Sequence, residues 1–257
     1  MKVFSRDFKW KIVNLSVGKQ FCALPEDEKP INVQEYQKMI GCLTYVSTAT
    51  RPDLASAVGI LARYMSRPGM EHFKGVKRVL RYIKGTINHG LVFKANEEKQ
   101  MIIGYSDADW GNDLDTRRSI SGYVFQVKGS TISWCSKRQT CIARSSTEAE
   151  YVALSLATQE IVWLKKLLQD VNVRSEKSLV IYEDNQGAIE LSKNAKFHNR
   201  TKHIDIAFHF IREKVGNGSI DVKYCPTDQM LADIMTKSLS KEKFIKFREQ
   251  LGVSEIN

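Results

Sequence analysis

The 257 residues carry 39 Lys and Arg against 29 Asp and Glu, a formal net charge of +10, with 42% hydrophobic and 26% charged residues. That balance excludes a disordered or collagen-like chain and fits one large domain or two smaller ones. No apolar run approaches the roughly 18 residues a membrane-spanning helix needs, so no membrane partner is expected. Met1–Gln20 alternates basic and apolar residues and lacks the apolar centre of a signal peptide. The five cysteines, Cys22, Cys42, Cys135, Cys141 and Cys225, form no C-x-x-C pair. This argues against a zinc site or disulfide framework and for a reducing intracellular compartment. Residues 1–100 hold 17 basic against 9 acidic side chains, and the remaining 157 hold 22 against 20. The excess that favours a polyanionic partner therefore lies mainly in the first part.

In chain order, Pro25-Glu26-Asp27-Glu28-Lys29-Pro30 reads as a solvated linker. Asn32, with Glu35 three residues on, predicts a capped helix start running into the apolar stretch Met39–Val46. Thr50-Arg51-Pro52-Asp53 predicts a turn, Leu54–Met65 a second helix stopped by Pro68-Gly69, and His72–Ile87 a third. In the third helix Val76, Val79, Leu80 and Ile83 share one apolar face. Lys74, Lys77, Arg78, Arg81 and Lys84 cluster about 150° away at roughly 100° per residue. Such a cluster is either a solvated face or a contact for a nucleic-acid backbone. Five like charges with no acid among them repel one another, which speaks for the second.

Asn96–Gln100 is a polar break, and the domain boundary is placed there. Strands are predicted at Met101–Ser106, Gly122–Lys128 and Thr131–Ser136, the last two joined as a hairpin at Gly129-Ser130. Ser145–Asp170 reads as a long helix and Leu179–Tyr182 as a short strand buried on both faces. Helices at Gln186–Ser192 and His203–Val215 follow, then a strand at Ile220–Tyr224 and helices at Asp228–Lys237 and Lys241–Leu251. A three-stranded meander followed by alternating helices and strands specifies a mixed α/β sheet flanked by helices.

Within this frame some acids sit where acids are costly. Ala153, Ala157, Ile161, Leu164 and Leu168 form one stripe of the long helix, and one step back along it lies Glu150. A carboxylate on a buried face needs a compensating cation, and a metal ion is one. Ser145-Ser146-Thr147-Glu148 matches a capping box, which gives Glu148 a structural task instead. Asp107 and Asp184 each end an apolar strand, where the reactive crevice of an open sheet lies, although a lone Asp there also serves as a cap. Asp109 and Glu183 are near alternatives. Asp109 lies beyond the strand, and Glu183 points opposite to Asp184 if the strand continues. Asp233 is one acid amid five apolar residues, Met230, Leu231, Ala232, Ile234 and Met235, and it reads equally as a site acid or as an i, i+4 pair with Lys237. Carboxylates without cysteine or clustered histidine suit Mg²⁺ or Mn²⁺, and two such ions roughly 3.5–4 Å apart are the arrangement for phosphodiester hydrolysis.

Taken as an ordered set, these stretches resemble the ribonuclease H of copia-type retrotransposons. Tyr105-Ser106-Asp107-Ala108-Asp109-Trp110, Ser119–Phe125, Ser145–Tyr151, Asp184-Asn185-Gln186 and Ala232-Asp233-Ile234-Met235-Thr236-Lys237 carry the resemblance. Thr201–Asp205 with His209–Glu213 adds to it. Gly41–Tyr45, Thr50–Asp53 and Lys77–Thr86 resemble the end of the same elements' reverse transcriptase. The resemblance implies a reverse transcriptase thumb or connection remnant over residues 1–98 and a ribonuclease H domain over 99–257. The implied fold is a ribonuclease H-like five-stranded mixed sheet with helices on both faces, preceded by a small, mainly helical region.

The implied activity is two-metal cleavage of the RNA strand of an RNA–DNA hybrid, with two Mg²⁺ ions (or Mn²⁺) held by Asp107, Glu150, Asp184 and Asp233. Ser146, Thr147 and Gln186 match hybrid-contacting positions, and Lys74, Lys77, Arg78, Arg81 and Lys84 would grip the hybrid backbone. The implied setting is a Pol polyprotein in the cytoplasm, within virus-like particles, or in the nucleus. The polymerase palm with its paired-Asp strand has no counterpart, so no polymerase activity is expected, and a non-catalytic hybrid-binding remnant is the alternative. Cellular relatives carry a histidine in the loop before the last Asp, whereas Tyr224-Cys225-Pro226-Thr227-Asp228 has none. His203, Asp205 and His209 read either as a metal site or as a helix cap plus packing.

Overall fold

The computed structural model describes residues 21–94, 101–173, 178–193 and 205–256. The expectations for Met1–Gln20, for the break at 96–100 and for Thr201–Ile204 lie outside these residues. Three helices come first: α1 (Val33–Ala49), α2 (Ala55–Ala62) and α3 (Met70–Gly85). Asn32 caps α1 by accepting from Glu35 N at 3.1 Å. The turn between α1 and α2 is stiffer than its sequence suggests. Arg51 and Asp53 form a buried two-point ion pair at 2.9 and 2.8 Å. Tyr82 Oη donates to the same carboxylate at 2.7 Å, which ties the corner to α3.

The main sheet is built from β2 (Ile102–Asp109), β3 (Ile120–Val127), β4 (Ser130–Arg138), β5 (Leu179–Glu183) and β6 (Ile220–Tyr224). Its order is β4-β3-β2-β5-β6. The meander β2-β3-β4 is antiparallel, while β5 and β6 add in parallel. This is the expected five-stranded mixed sheet. It is sandwiched, so strands such as β3 are buried on both faces. Tyr123 and Phe125 pack under α4 (Ser146–Asp170), α5 (Gln186–Lys193) and α6 (Asp205–Gly216). Val124, between them, packs on the opposite side with α1–α3 and α8 (Lys241–Gln250).

That second core draws on both sides of residue 98. Tyr36, Leu43, Leu61 and Val79 share it with Ile234, Met235, Phe244 and Phe247. A two-stranded sheet reinforces the junction, pairing β1 (His89–Leu91) antiparallel with β7 (Val253–Glu255). Neither strand was expected, since three residues carry no readable alternation.

Three expectations need correction. β2 continues to Asp109, paired with Ile120, so Asp107 and Asp109 both lie inside the strand. Leu80 is exposed, and the buried face of α3 turns instead through His72, Gly75, Val76, Val79 and Tyr82. The helix expected at Asp228–Lys237 is a single turn, α7 (Asp233–Thr236), preceded by tight turns. Met230, Leu231 and Ala232 are consecutive and all buried. One helix face cannot bury three successive side chains, and Gln229 N and Met230 N bond back three residues instead.

Candidate active site

The site starts from the cap of α4. Ser145 Oγ accepts from Glu148 N at 3.2 Å, and Glu148 Oε2 accepts from Arg144 N at 3.0 Å. Glu148 is thus occupied in capping, as expected. Glu150 lies two residues on, buried in line with Ala153, Ala157, Ile161 and Leu164. Its Oε2 accepts from Ala108 N at 2.5 Å and pins the helix to β2.

Asp107 stands opposite Gly122 of β3. A Cβ on Gly122 would come within 2.6 Å of Thr236 Cγ2 and 2.7 Å of Met235 Cβ. The missing side chain lets α7 lie directly on the sheet, where Thr236 Oγ1 donates to Asp107 Oδ2. Lys237 Nζ then bridges two acids, at 2.7 Å from Asp107 Oδ1 and 2.8 Å from Asp233 Oδ1. Lys243 Nζ reaches the other oxygen of Asp233 at 2.6 Å. The pairing of Asp233 with Lys237 is therefore real, and it coexists with a place in the acid cluster.

Asp184 follows β5 and accepts from Thr227 Oγ1 at 2.7 Å. Ligand oxygens of Asp107, Asp184 and Asp233 all lie within 4.8 Å of one another, and so do those of Glu150, Glu183 and Asp184. The structure therefore brings all four singled-out acids together, as two groups overlapping at Asp184. Glu183 was the acid set aside. Strand alternation puts it on the face of Leu179 and Ile181, which pack under α4, while Tyr182 stacks on Tyr105 across the other face. β5 ends at Glu183, so alternation does not extend to Asp184, and the two carboxylates come together. What sequence periodicity within one strand cannot show is that Glu150 arrives on the α4 face.

Burial, and then the neighbouring carboxyls Glu183, Asp107 and Asp184, push Glu150 up to about 11. Burial pushes Asp107 up to about 6, with Lys237 opposing and Asp233 adding to the rise. Burial raises Glu183 well above the carboxylate range, against a hydrogen bond from Asn185 N. Burial would lower Lys237, but Asp107 and Asp233 outweigh it and raise the ammonium. The centre is thus an excess of carboxyl groups in a dry place, where burial and mutual repulsion favour their protonated forms and two lysines partly oppose this.

No protein-family model matches the chain. The chain is 41% identical over 241 residues to the retrovirus-related Pol polyprotein from transposon TNT 1-94 of Nicotiana tabacum, covering 93% of this chain and 18% of the relative. It is 41% identical over 222 residues to that from transposon RE1 of Arabidopsis thaliana, covering 86% of this chain and 15% of the relative. Over most of its own length the chain is thus similar to one region of retrovirus-related Pol polyproteins of plant transposons. It spans less than a fifth of the length of these relatives. Among solved structures it is similar to LC11-RNase H1, isolated from compost by a metagenomic approach, at 19% identity and a TM-score of 0.41, covering 58% of this chain and 98% of that one. This overlay is loose, and the fold rests on the sheet order itself.

Around the acids, Ser146 and Gln186 are exposed at the starts of α4 and α5. Thr147 Oγ1 donates to Asn185 Oδ1 at 3.4 Å, and a Cβ on Gly187 would meet that hydroxyl at 3.0 Å, so the two helix N-termini abut. On α3, Lys74, Lys77, Arg81 and Lys84 are exposed and Arg78 is half-buried. Their face is less uniformly basic than expected, because Lys74 pairs with Glu71 at 2.7 Å. The loop without the histidine supplies Thr227 to Asp184. His209 is exposed, while the side chains of His203 and Asp205 lie outside the described residues.

Proposed function

We propose that this chain is a metal-dependent ribonuclease H that cuts the RNA strand of RNA–DNA hybrids during retrotransposon reverse transcription. In this reading residues 1–98 form a thumb or connection remnant, residues 99–257 form the nuclease, and the work takes place in cytoplasmic particles or the nucleus. The observation that carries it is the convergence of Asp107, Glu150, Asp184 and Asp233 at the ends of β2 and β5, from four separate elements. The donor set fits Mg²⁺ or Mn²⁺, because every ligand atom is a carboxylate oxygen. The buried Glu183 Oε2 also lacks any hydrogen-bond partner, and such an orphaned oxygen is one a cation could take up. Asp107, Glu150, Asp184 and Asp233 would hold two ions, which when bound activate a water and stabilise the leaving oxygen.

The chain's own residues orient that chemistry. Thr236 and Lys237 fix the Asp107 carboxylate, and Thr227 fixes Asp184. Ser146, Thr147 and Gln186 are short or flexible polar groups suited to sensing a 2′-hydroxyl in a minor groove. The basic face of α3 contacts phosphates, a salt-sensitive attachment. In the reaction the water oxygen bonds to phosphorus and the bond from phosphorus to the 3′ oxygen breaks. That oxygen takes a proton, leaving 3′-hydroxyl and 5′-phosphate ends.

The test is a strand-labelled hybrid incubated with Mg²⁺. The unmutated chain is expected to cut the RNA strand only, and Asp184→Asn to lose cutting while its circular dichroism is unchanged. Absence of cutting by the unmutated chain with either Mg²⁺ or Mn²⁺ would sink the reading. One observation favours a second reading, hybrid binding without cleavage: Lys237 already bridges Asp107 and Asp233. Under that reading hybrid is retained at low salt, released at high salt and never cut.

A further inference from the structure

We propose that Glu183 is a fifth metal-ligating carboxylate, which completes with Glu150 and Asp184 a cation position on the α4 side of the sheet. The proposal rests on the metal-dependent reading above and extends its ligand set. Glu183 is the last residue of β5 and is 0% exposed. Its Oε1 accepts from Asn185 N at 3.2 Å, and its Oε2 is buried with no partner at all. Leaving a carboxylate oxygen dry and unbonded is among the costlier arrangements a fold can hold. Oxygens of Glu183, Glu150 and Asp184 meanwhile lie within 4.8 Å of one another.

The lysines make no ion pair with Glu150 or Glu183, and Lys237 acts on the two only from a distance, as the last of the influences on each. Lys237 binds Asp107 and Asp233, and Lys243 binds Asp233. Among the described residues no basic side chain hydrogen-bonds to Glu150 or Glu183. The acid cluster therefore has two unlike halves. The half around Asp107 and Asp233 carries its own ammonium groups. The half around Glu150 and Glu183 carries none, and a divalent cation with oxygen ligands balances it. The competing description is a neutral carboxylic acid that merely packs, for which an isosteric amide is an adequate substitute.

Calorimetric titration of the full chain with Mn²⁺ separates the two. The unmutated chain is expected to take up two ions. Glu183→Gln is expected to lose one of them or to weaken it by at least about tenfold, the smallest loss seen when even an outer partner of a metal ligand is removed. Two ions bound by Glu183→Gln with unchanged affinity would overturn the proposal and leave the metal-dependent reading standing. Failure of the unmutated chain to bind Mn²⁺ would overturn both. Should Glu183→Gln not fold, anomalous diffraction from crystals of the unmutated chain soaked in Mn²⁺ decides. A peak within about 2.3 Å of a Glu183 oxygen, close to the usual bond lengths to hard cations, supports the proposal. Peaks only against the other four acids overturn it.

Discussion

Glu150 is a carboxyl group surrounded by carboxyl groups, and its behaviour with pH follows from that. Burial first, then Glu183, Asp107 and Asp184, lift it from 4.5 to about 11. The folded state thus holds this proton more tightly than the unfolded chain does. The resulting stability is complete below pH 4.5 and is lost progressively as pH rises toward about 11. Metal-free protein is therefore expected to melt at falling temperatures from pH 5 to pH 9. Glu150→Gln should flatten that slope, as read by thermal unfolding in chelator. Lys237 works in the opposite sense, since its ammonium makes Asp107 and Asp233 tolerable. Lys237→Met should cost about 1–3 kcal/mol in chelator, less than the full penalty of breaking a buried pair. The discount reflects a lysine side chain that is 34% exposed. Added Mg²⁺ should recover part of the loss in urea titrations. At this scale the sequence was legible where one element held the whole signal. Helix periodicity separates Glu150 from Glu148 unaided. Glu183 reads in the sequence only as a near alternative to Asp184, because Glu150, which meets it, belongs to another element and strand alternation says nothing about what packs on each face.

Among the α-helices, α7 is the shortest and the most consequential. Its four residues carry Asp233 and Thr236, and its seat on β3 exists because Gly122 has no side chain. Gly122→Ala should push α7 outward and destabilise the protein by about 1–3 kcal/mol, the usual range for overpacking. Urea unfolding measures the first effect, and a drop in Mg²⁺ affinity in the same variant reports the displaced Asp233. The sequence read the long α4 and the meander β2-β3-β4 well, because each repeats its pattern over many residues. It overextended α7, where burial from all sides looked like a helix and was a series of tight turns. It also ended β2 early, because Asp107 and Asp109 look like turn residues until the sheet is seen to bury them.

Across the whole molecule the helical region and the sheet are not independent bodies. Ile234, Met235, Phe244 and Phe247 find their apolar neighbours among α1–α3. A chain cut to residues 101–257 would expose that face, and large exposed apolar patches promote association. It is expected to elute as oligomer or aggregate in size-exclusion chromatography, whereas the full chain elutes as a discrete species. Composition gave no sign of this sharing. The charge contrast and the polar break at 96–100 suggest two units, and charge patterning reports surfaces rather than cores.

The pairing of β1 with β7 joins residues 89–91 to residues 253–255. During synthesis, α1–α3 are complete when Gly85 has been made, yet α8, which closes their core, begins only at Lys241. At about 5–20 residues per second, the helices wait roughly 8–30 s with their apolar faces unmatched. In folding from denaturant, the same long separation makes closure of this clasp a late event, since non-local contacts are entropically slow to form. The indole of Trp134, which donates to Ser47 O at 2.8 Å across the same junction, would report its arrival.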